Sequence, residues 1–205
     1  MPFKKLRPEI QEKLAQFEIT TPTLFQKKSI PVIKSGANVY CVAPKGSGRT
    51  TTLILTTLQE LKCEEMGMIP RALIMVENKE KALELYDAFL EYTKHTSLRV
   101  YVGHEGLHID LQKSEIFMGV DILISTPNNM KQLFLLNGIG IAHLKVFSVD
   151  DAEFLTQRQA YSSIMSITQS IKKCQYVLYC EKLDPMLKRL ESHFMEFPKK
   201  VVIEK

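Results

Sequence analysis

A glycine-containing loop between an apolar run and a helical pattern is the segment of the sequence best suited to chemistry. Residues 38–58 read N-V-Y-C-V-A-P-K-G-S-G-R-T-T-T-L-I-L-T-T-L. Gly46 and Gly48 have no Cβ, so the backbone can turn its N–H groups inward, and the following helix directs its positive amino end to the same place. This arrangement favours a polyphosphate. The simpler interpretation is a turn that only joins a strand to a helix.

The residues after Gly48 determine what such a loop could do with a nucleotide. Thr50 falls where the phosphate-loop motif has a hydroxyl that ligates Mg²⁺, but Arg49 replaces the lysine of that motif. Arginine is longer and planar and prefers a fixed fork geometry. We therefore expect binding of ATP or ADP with Mg²⁺ to survive and transition-state placement to suffer. The predicted nucleotide-binding residues of the loop are Pro44, Lys45, Gly46, Ser47, Gly48, Arg49, Thr50 and Thr51.

An acidic pair follows another apolar run further along the chain. The segment reads K-V-F-S-V-D-D-A-E-F-L, with Asp150 and Asp151 directly after the run. A phosphate-loop enzyme needs carboxylates at the end of such a strand. We predict that Asp150 ligates Mg²⁺ with Thr50 and that Asp151 orients or deprotonates the attacking water. The alternative is that the two acids cap a helix beginning at Ala152.

Short apolar runs alternate with helical patterns along the chain. Most of the runs are continuously apolar, which is typical of strands covered on both faces, and apolar residues spaced by three and four lie between them. The alternation predicts βαβ units and a parallel sheet in an α/β fold. The strand-like runs span residues 38–43, 72–76, 98–102, 121–125, 145–149, 176–179 and 201–203.

Composition indicates one domain over residues 1–205. The chain is 45% hydrophobic and 24% charged, with no repeat or linker to divide it. The net charge of +4 does not identify a partner. Four cysteines without a C-x-x-C pair favour reduced, buried thiols. Without a secretory signal or a membrane-spanning run, we expect a cytoplasmic protein that does not enter membranes.

The order of these segments resembles the first RecA-like domain of the DEAD-box RNA helicase family. Residues 43–50 are similar to that family's A-x-T-G-S-G-K-T, and residues 149–155 to its L-D-E-A-D signature. Residues 22–26, P-T-L-F-Q, resemble its Q motif, and Phe3 resembles the isolated aromatic upstream of it. The resemblance implies a RecA-like P-loop three-layer sandwich with a mostly parallel central sheet. It also implies that Gln26 reads the adenine edge, with Phe3 supporting the base.

Three further positions resemble sites that contact RNA in the family. Gly103 matches half of a Gly-Gly pair, Thr126 lies in S-T-P-N-N where the family has T-P-G-R, and Lys79 lies in E-N-K-E-K-A where it has P-T-R-E-L-A. The resemblance implies contacts of Lys79, Gly103 and Thr126 with the RNA backbone. Because Glu77 adds a negative charge and Asn129 replaces an arginine, we expect RNA binding to be weak.

The departures from the family pattern also predict slow or absent hydrolysis. Asp151 in place of glutamate shortens the base by about 1.5 Å. A misplacement of about 1 Å can lower a rate on the order of a hundredfold. The family's S-A-T segment has become C-E-K at residues 180–182. In the family a second RecA-like domain brings arginines to the nucleotide, so we expect no unwinding unless a partner protein supplies them.

Two other functions remain open at the level of sequence. A non-enzymatic pseudo-helicase module would bind a protein or RNA partner independently of nucleotide, and Arg49, Asp151 and residues 180–182 favour it. An unrelated phosphate-loop phosphotransferase fits the loop alone, but the Q-like segment and D-D-A-E argue against it. His104 and His108 are spaced as metal ligands on a helix would be, yet neighbouring glycines predict a loop with solvent-exposed histidines.

Overall fold

Continuous apolar runs place strands in the interior of a sheet, since both of their faces can be buried. The computed structural model describes residues 2–204, and each of the seven predicted runs overlaps one strand. The strands are β1 (Val39–Val42), β2 (Ala72–Met75), β3 (Val100–Gly103), β4 (Ile122–Ser125), β5 (Val146–Val149), β6 (Gln175–Cys180) and β7 (Lys199–Val202).

All seven strands pair in parallel, in the order β3-β4-β2-β5-β6-β1-β7. The α/β fold with a parallel central sheet is confirmed, and within the described residues the sheet is entirely parallel. Parallel strands all end at the same edge of a sheet, and ligands bind at this carboxyl edge in open α/β sheets. The loop after β1, the acidic pair after β5 and the segments after β2, β3 and β4 therefore lie along one edge.

Helices cover both faces of the sheet and form two cores. Alternate strand residues such as Cys41 and Ile74 face the first four helices, while Tyr40 and Leu73 face the last four. The α-helices are α1 (Pro8–Gln16), α2 (Leu24–Lys34), α3 (Arg49–Glu60), α4 (Lys79–Thr93), α5 (Ile109–Phe117), α6 (Pro127–Leu135), α7 (Arg158–Thr168) and α8 (Pro185–Lys188). Short 3₁₀ turns span Phe3–Lys5, Ala152–Thr156 and Arg189–Ser192. No helix among the described residues could cross a membrane.

Candidate nucleotide and RNA site

The loop after β1 has a backbone conformation that glycine adopts without strain. Gly46 has φ +79° and Gly48 has φ +93°. A Cβ on Gly46 would meet nothing within 4 Å, whereas a Cβ on Gly48 would lie 2.7 Å from Nε2 of Gln26. Gly48 is also the N-cap of α3, and it provides no side chain to accept from the helix amides. The loop therefore presents a helix amino end over open space, the arrangement that binds phosphate.

Two buried donors in the loop lack a partner. Among the described residues, neither Oγ of Ser47 nor Nη1 of Arg49 has a hydrogen-bond partner. Buried polar groups in proteins are nearly always hydrogen-bonded, because leaving one unpaired costs about 1–3 kcal/mol. Donors of this kind fit an anionic ligand, so the residues present are chemically suited to a phosphate chain.

The second terminal nitrogen of Arg49, Nη2, contacts the acidic pair. Its side chain is only 6% exposed, and Nη2 donates to Oδ1 of Asp151 at 2.6 Å. Lys81 donates from Nζ to Oδ2 of Asp151 at 3.0 Å and also contacts Glu77 at 3.1 Å. Both carboxylate oxygens of Asp151 thus accept from a cation. These contacts join the start of α3, the end of β5 and the start of α4.

Thr50 and Asp150 lie side by side at the same edge. Oγ1 of Thr50 donates to Oδ2 of Asp150 at 3.4 Å. Burial, together with the neighbouring charge of Asp151, raises the pKa of Asp150 to about 6, although Arg49, Thr50 and Lys81 act in the opposite direction. A hydroxyl and a carboxylate are the oxygen ligands that Mg²⁺ uses beside phosphates and water. The pair predicted to hold Mg²⁺ is therefore brought together, and a cation there would relieve the cost of ionising Asp150.

Gln26 and Phe3 have structural contacts of their own. The N–H groups of Thr23 and Gln26 donate reciprocally to Oε1 of Gln26, at 2.9 Å, and Oγ1 of Thr23, at 3.1 Å, which forms a capping box at the start of α2. Oγ1 of Thr23 donates in turn to the carbonyl of Ser47 at 2.7 Å. Phe3 is buried in the first core. The structure connects Gln26 to the phosphate loop, and the adenine contacts of both residues stay predictions.

The capping interpretation of the acidic pair is only partly realised. Asp151 occupies the N-cap position of the 3₁₀ turn Ala152–Thr156, with φ 49° and ψ 57°, but its side chain accepts no capping hydrogen bond. Its oxygens are instead bound by Arg49 and Lys81. The alternative that Asp151 serves as a helix cap is therefore wrong for the side chain, because two cations outcompete the turn amides.

A cleft of about 760 Å³ lies beside the phosphate loop. Pro44 and Lys45 line it from the loop, and Asp151 lines it from the acidic segment. Oε1 of Glu153 accepts from the backbone N–H groups of Glu181 and Lys182, the latter at 3.3 Å. The acidic segment and the C-E-K segment at the family's S-A-T position are therefore in direct contact.

A smaller cleft, of about 220 Å³, contains two of the residues predicted to contact RNA. Lys79 and Thr126 both line it, together with Glu105. Oγ1 of Thr126 donates to Oε1 of Glu105 at 2.7 Å. We call this the RNA-contact cleft. It lies at the carboxyl end of β4 and the start of α4.

Gly103 lies beneath a buried pair of amides rather than in the RNA-contact cleft. A Cβ on Gly103 would come within 2.6 Å of Oε1 of Gln112 and 2.8 Å of Nδ2 of Asn129. These amides donate to each other at 2.8 and 3.1 Å. Asn129 stands at the position where the family has arginine. Its side chain is buried and pairs with Gln112, so the structure accommodates asparagine at this position by packing it in the interior.

The prediction that both histidines are solvent-exposed is wrong for His104. His104 is buried, and its Nδ1 accepts the backbone N–H of Gly106 at 3.0 Å. Burial and the nearby charge of Lys79 lower the pKa of His104. The ring closes the turn that follows β3, which accounts for its burial. His108 is exposed, and no group of three potential metal ligands occurs among residues 2–204.

Sequence reasoning overlooked Lys81 and the role of Glu105. Lys81 lies on α4, four residues after Glu77, which precedes the N-cap Asn78, and the i,i+4 spacing of opposite charges could have indicated a paired ammonium. Glu105 is adjacent to the Gly-Gly-like position. No local pattern predicts its contact with Thr126, which is distant in sequence.

Comparison with known proteins gives a consistent result. The family model described as DEAD/DEAH box helicase matches residues 23–180. The ATP-dependent RNA helicase dbp3 of Emericella nidulans is 24% identical over 98% of this chain and 42% of its own length. The ATP-dependent RNA helicase DeaD of Buchnera aphidicola is 24% identical over 98% of this chain and 34% of its own length. The ATP-dependent RNA helicase RhlB of Shewanella baltica is 30% identical over 72% of this chain and 35% of its own length.

The chain thus spans less than half the length of these relatives. The matched segment begins at Thr23, in the Q-like motif, and ends at Cys180, the last residue of β6. It contains the phosphate loop, the acidic pair and the RNA-contact cleft. Since the match covers well over half of the sequence and the fold agrees with it, the chain belongs to the DEAD/DEAH box helicase family.

Proposed function

We propose that this chain is a divergent DEAD-box domain that binds ATP or ADP with Mg²⁺, binds RNA weakly, and hydrolyses ATP slowly or not at all. The observation that carries the proposal is the pair of buried, unpartnered donors in the phosphate loop, on Ser47 and Arg49. Both donors lie at or next to the amino end of α3, where the helix dipole and the open space around Gly46 also favour an anion. A phosphate chain would satisfy both.

Thr50 and Asp150 are the residues that would hold Mg²⁺. When bound, the ion neutralises charge on the phosphates. The protein's own contribution is positional: Gly46 leaves the approach open, Gly48 allows the turn, and Asp150 offers a carboxylate whose ionisation is costly without a cation. Tight binding of magnesium nucleotide therefore requires the ionised form of Asp150.

Weak hydrolysis follows from the surroundings of Asp151. A residue that orients or deprotonates a water needs a free oxygen lone pair directed at it. Arg49 and Lys81 engage both oxygens of Asp151, at 2.6 and 3.0 Å. An arginine in place of lysine also faces an aspartate in place of glutamate, so a longer cation meets a shorter anion. We infer that the two departures from the family pattern form one matched pair that keeps the contact and leaves the carboxylate of Asp151 with fewer lone pairs free for a water.

Unwinding would need more than these residues. In the family two RecA-like domains close over the nucleotide, and we propose that residues 1–205 form one of them. Arginines that complete the site would come from further chain or from a partner protein. The three relatives described above are named as ATP-dependent RNA helicases. For this chain we propose binding of nucleotide and RNA without unwinding on its own.

A fluorescent-nucleotide titration tests the proposal, followed by an RNA-stimulated ATPase assay. Wild type, Arg49→Lys and Arg49→Ala are compared in the presence of Mg²⁺. We expect saturable binding by the wild type, weaker binding by Arg49→Ala and little ATPase activity in either. An absence of saturable binding at millimolar nucleotide, with no effect of Arg49→Ala, would remove nucleotide from the proposal.

A second candidate is a non-enzymatic module that binds a protein or RNA partner independently of nucleotide. The engagement of Asp151 by two cations favours it, because such an ion network stabilises the loop without any ligand. Its signature is partner affinity that does not change when magnesium nucleotide is added. RNA-stimulated ATPase activity of the wild type would count against it.

A further inference from the structure

The hydroxyl of Thr126 is already engaged by a carboxylate of the same chain. Thr126 is only 2% exposed, and its hydroxyl has a single proton, which it donates to Oε1 of Glu105 at 2.7 Å. That distance is typical of a hydrogen bond to an ionised acceptor. A nucleic-acid phosphate would approach the same hydroxyl with the same kind of oxygen. Phosphate and Glu105 therefore cannot both accept from Thr126.

A turn built by His104 holds Glu105 over the RNA-contact cleft. Nδ1 of the buried His104 accepts the N–H of Gly106, so the residue between them is carried at the tip of a short closed turn. A Cβ on Gly106 would lie 3.0 Å from this ring and 3.4 Å from Nζ of Lys79. The turn thus brings Glu105 into the cleft that Lys79 also lines.

Charge makes the arrangement unfavourable for a polyanion. The RNA-contact cleft is lined by one lysine, Lys79, and by two carboxylates, Glu77 and Glu105. A phosphate bound at Thr126 would lie next to any carboxylate that stayed in place, and like charges at such distances repel. RNA must displace the side chain of Glu105 before it can contact Thr126.

We propose that Glu105 competes with the RNA phosphate for the hydroxyl of Thr126 and thereby sets the weak RNA affinity of this chain. The inference rests on the proposed function, since it assumes that RNA uses this cleft. It differs from a general charge effect because it depends on one hydrogen bond and one position.

Fluorescence anisotropy with a fluorescein-labelled oligouridine tests this inference. The wild type is compared with Glu105→Ala, which removes both the charge and the acceptor, and with Glu12→Ala, which makes the same change at an exposed position on α1. We expect Glu105→Ala to bind about fivefold more tightly, the size of one exposed charged contact, and Glu12→Ala to change the affinity by less than about twofold. The slope of log affinity against log salt should steepen by about 0.7 in Glu105→Ala, for one added phosphate contact.

Adding Thr126→Val to Glu105→Ala separates the hydrogen bond from charge, because valine keeps the shape of threonine without its hydroxyl. We expect the double variant to lose most of the gain in affinity. Equal gains in Glu105→Ala and Glu12→Ala would overturn the inference and leave RNA binding intact. Failure of every variant to bind the oligouridine would overturn both the inference and the RNA part of the proposed function, while nucleotide binding would be judged by its own titration.

Discussion

The phosphate loop and the RNA-contact cleft lie on the same edge of the sheet but differ in whether their side-chain donors already have a partner. In the loop, buried donors of Ser47 and Arg49 have no partner among the described residues. In the cleft, the donor of Thr126 is bound by Glu105. The contrast shows that a residue of a family motif can be present while its hydrogen-bond donor is already engaged by another group of the same chain.

The number of donors on arginine explains why the loop can retain one that has no partner. Its guanidinium carries five N–H groups, so Arg49 can bind Asp151 through Nη2 while Nη1 has no partner among the described residues. Threonine has one hydroxyl proton, so Thr126 has no second donor. A carboxylate of the same chain therefore leaves Nη1 of Arg49 without a partner but engages the hydroxyl proton of Thr126.

Removing the carboxylate of Asp150 should have the largest effect on the nucleotide side. In Asp150→Asn we expect the Mg²⁺-dependent part of nucleotide affinity to fall about a hundredfold, as for loss of a well-positioned metal contact. Fluorescent-nucleotide titration with and without Mg²⁺ measures it. Asp87→Asn, at an exposed position on α4, is the matched control and should behave as the wild type. Unchanged Mg²⁺ dependence in Asp150→Asn would mean that the loop does not use this carboxylate.

The same substitution should stabilise the protein when nucleotide and Mg²⁺ are absent. The pKa of Asp150 is raised to about 6 by burial and by Asp151, so the folded state carries a cost for the ionised form above that pH. The cost disappears as pH falls towards the pKa of the unfolded chain. In urea unfolding we expect Asp150→Asn to gain about 3 kcal/mol near pH 8 and about half of that near pH 5. A loss of stability at the higher pH would contradict the account.

Because Arg49 and Asp151 form a matched pair, the effects of substituting them on the free energy of unfolding should not be additive. Arg49→Lys alone leaves two short side chains that cannot meet, and Asp151→Glu alone brings two long side chains too close together. The double variant restores the combined length of the two side chains. We expect a coupling free energy of about 1 kcal/mol in a double-mutant cycle measured by urea unfolding. Additivity within about 0.3 kcal/mol would show that the two departures are independent.

The smallest effect is expected on the RNA side. Because Glu77 and Glu105 line the same cleft and repel an approaching phosphate, Lys79→Ala should change the oligouridine affinity of the wild type by less than about twofold. In the Glu105→Ala background the same substitution should cost about fivefold, since phosphate can then approach Lys79 with one opposing carboxylate fewer. Anisotropy titrations of the four proteins measure both values. A large loss in the wild-type background would show that Lys79 already binds RNA.

The fold could be predicted from sequence because burial on both faces leaves a continuous apolar record. Strand β2 carries that record along its whole length, and β4 carries it as far as Ile124. The prediction was poorer for β7, which begins at Lys199 rather than Val201. As an edge strand, β7 exposes Lys199, Lys200 and Val202 and buries only Val201. Its first residues therefore give no apolar signal.

The site could be predicted only in its local parts. The loop and the pairing of Thr50 with Asp150 follow from segments placed at the ends of parallel strands. The contacts of Lys81 with Asp151 and of Glu105 with Thr126 join residues far apart in the chain, so no spacing rule reveals them. The burial of His104 likewise depends on a turn that the neighbouring glycines did not specify.

A crystal structure grown with ATP and Mg²⁺ tests the central claim most directly. We predict a nucleotide whose phosphates contact the loop at Gly46 and Gly48, with Nη1 of Arg49 donating to a phosphate oxygen and Mg²⁺ between Thr50 and Asp150. The contradicting result is an empty loop in saturating ligand, with Arg49 still bound to Asp151 and its side chain filling the space intended for phosphate.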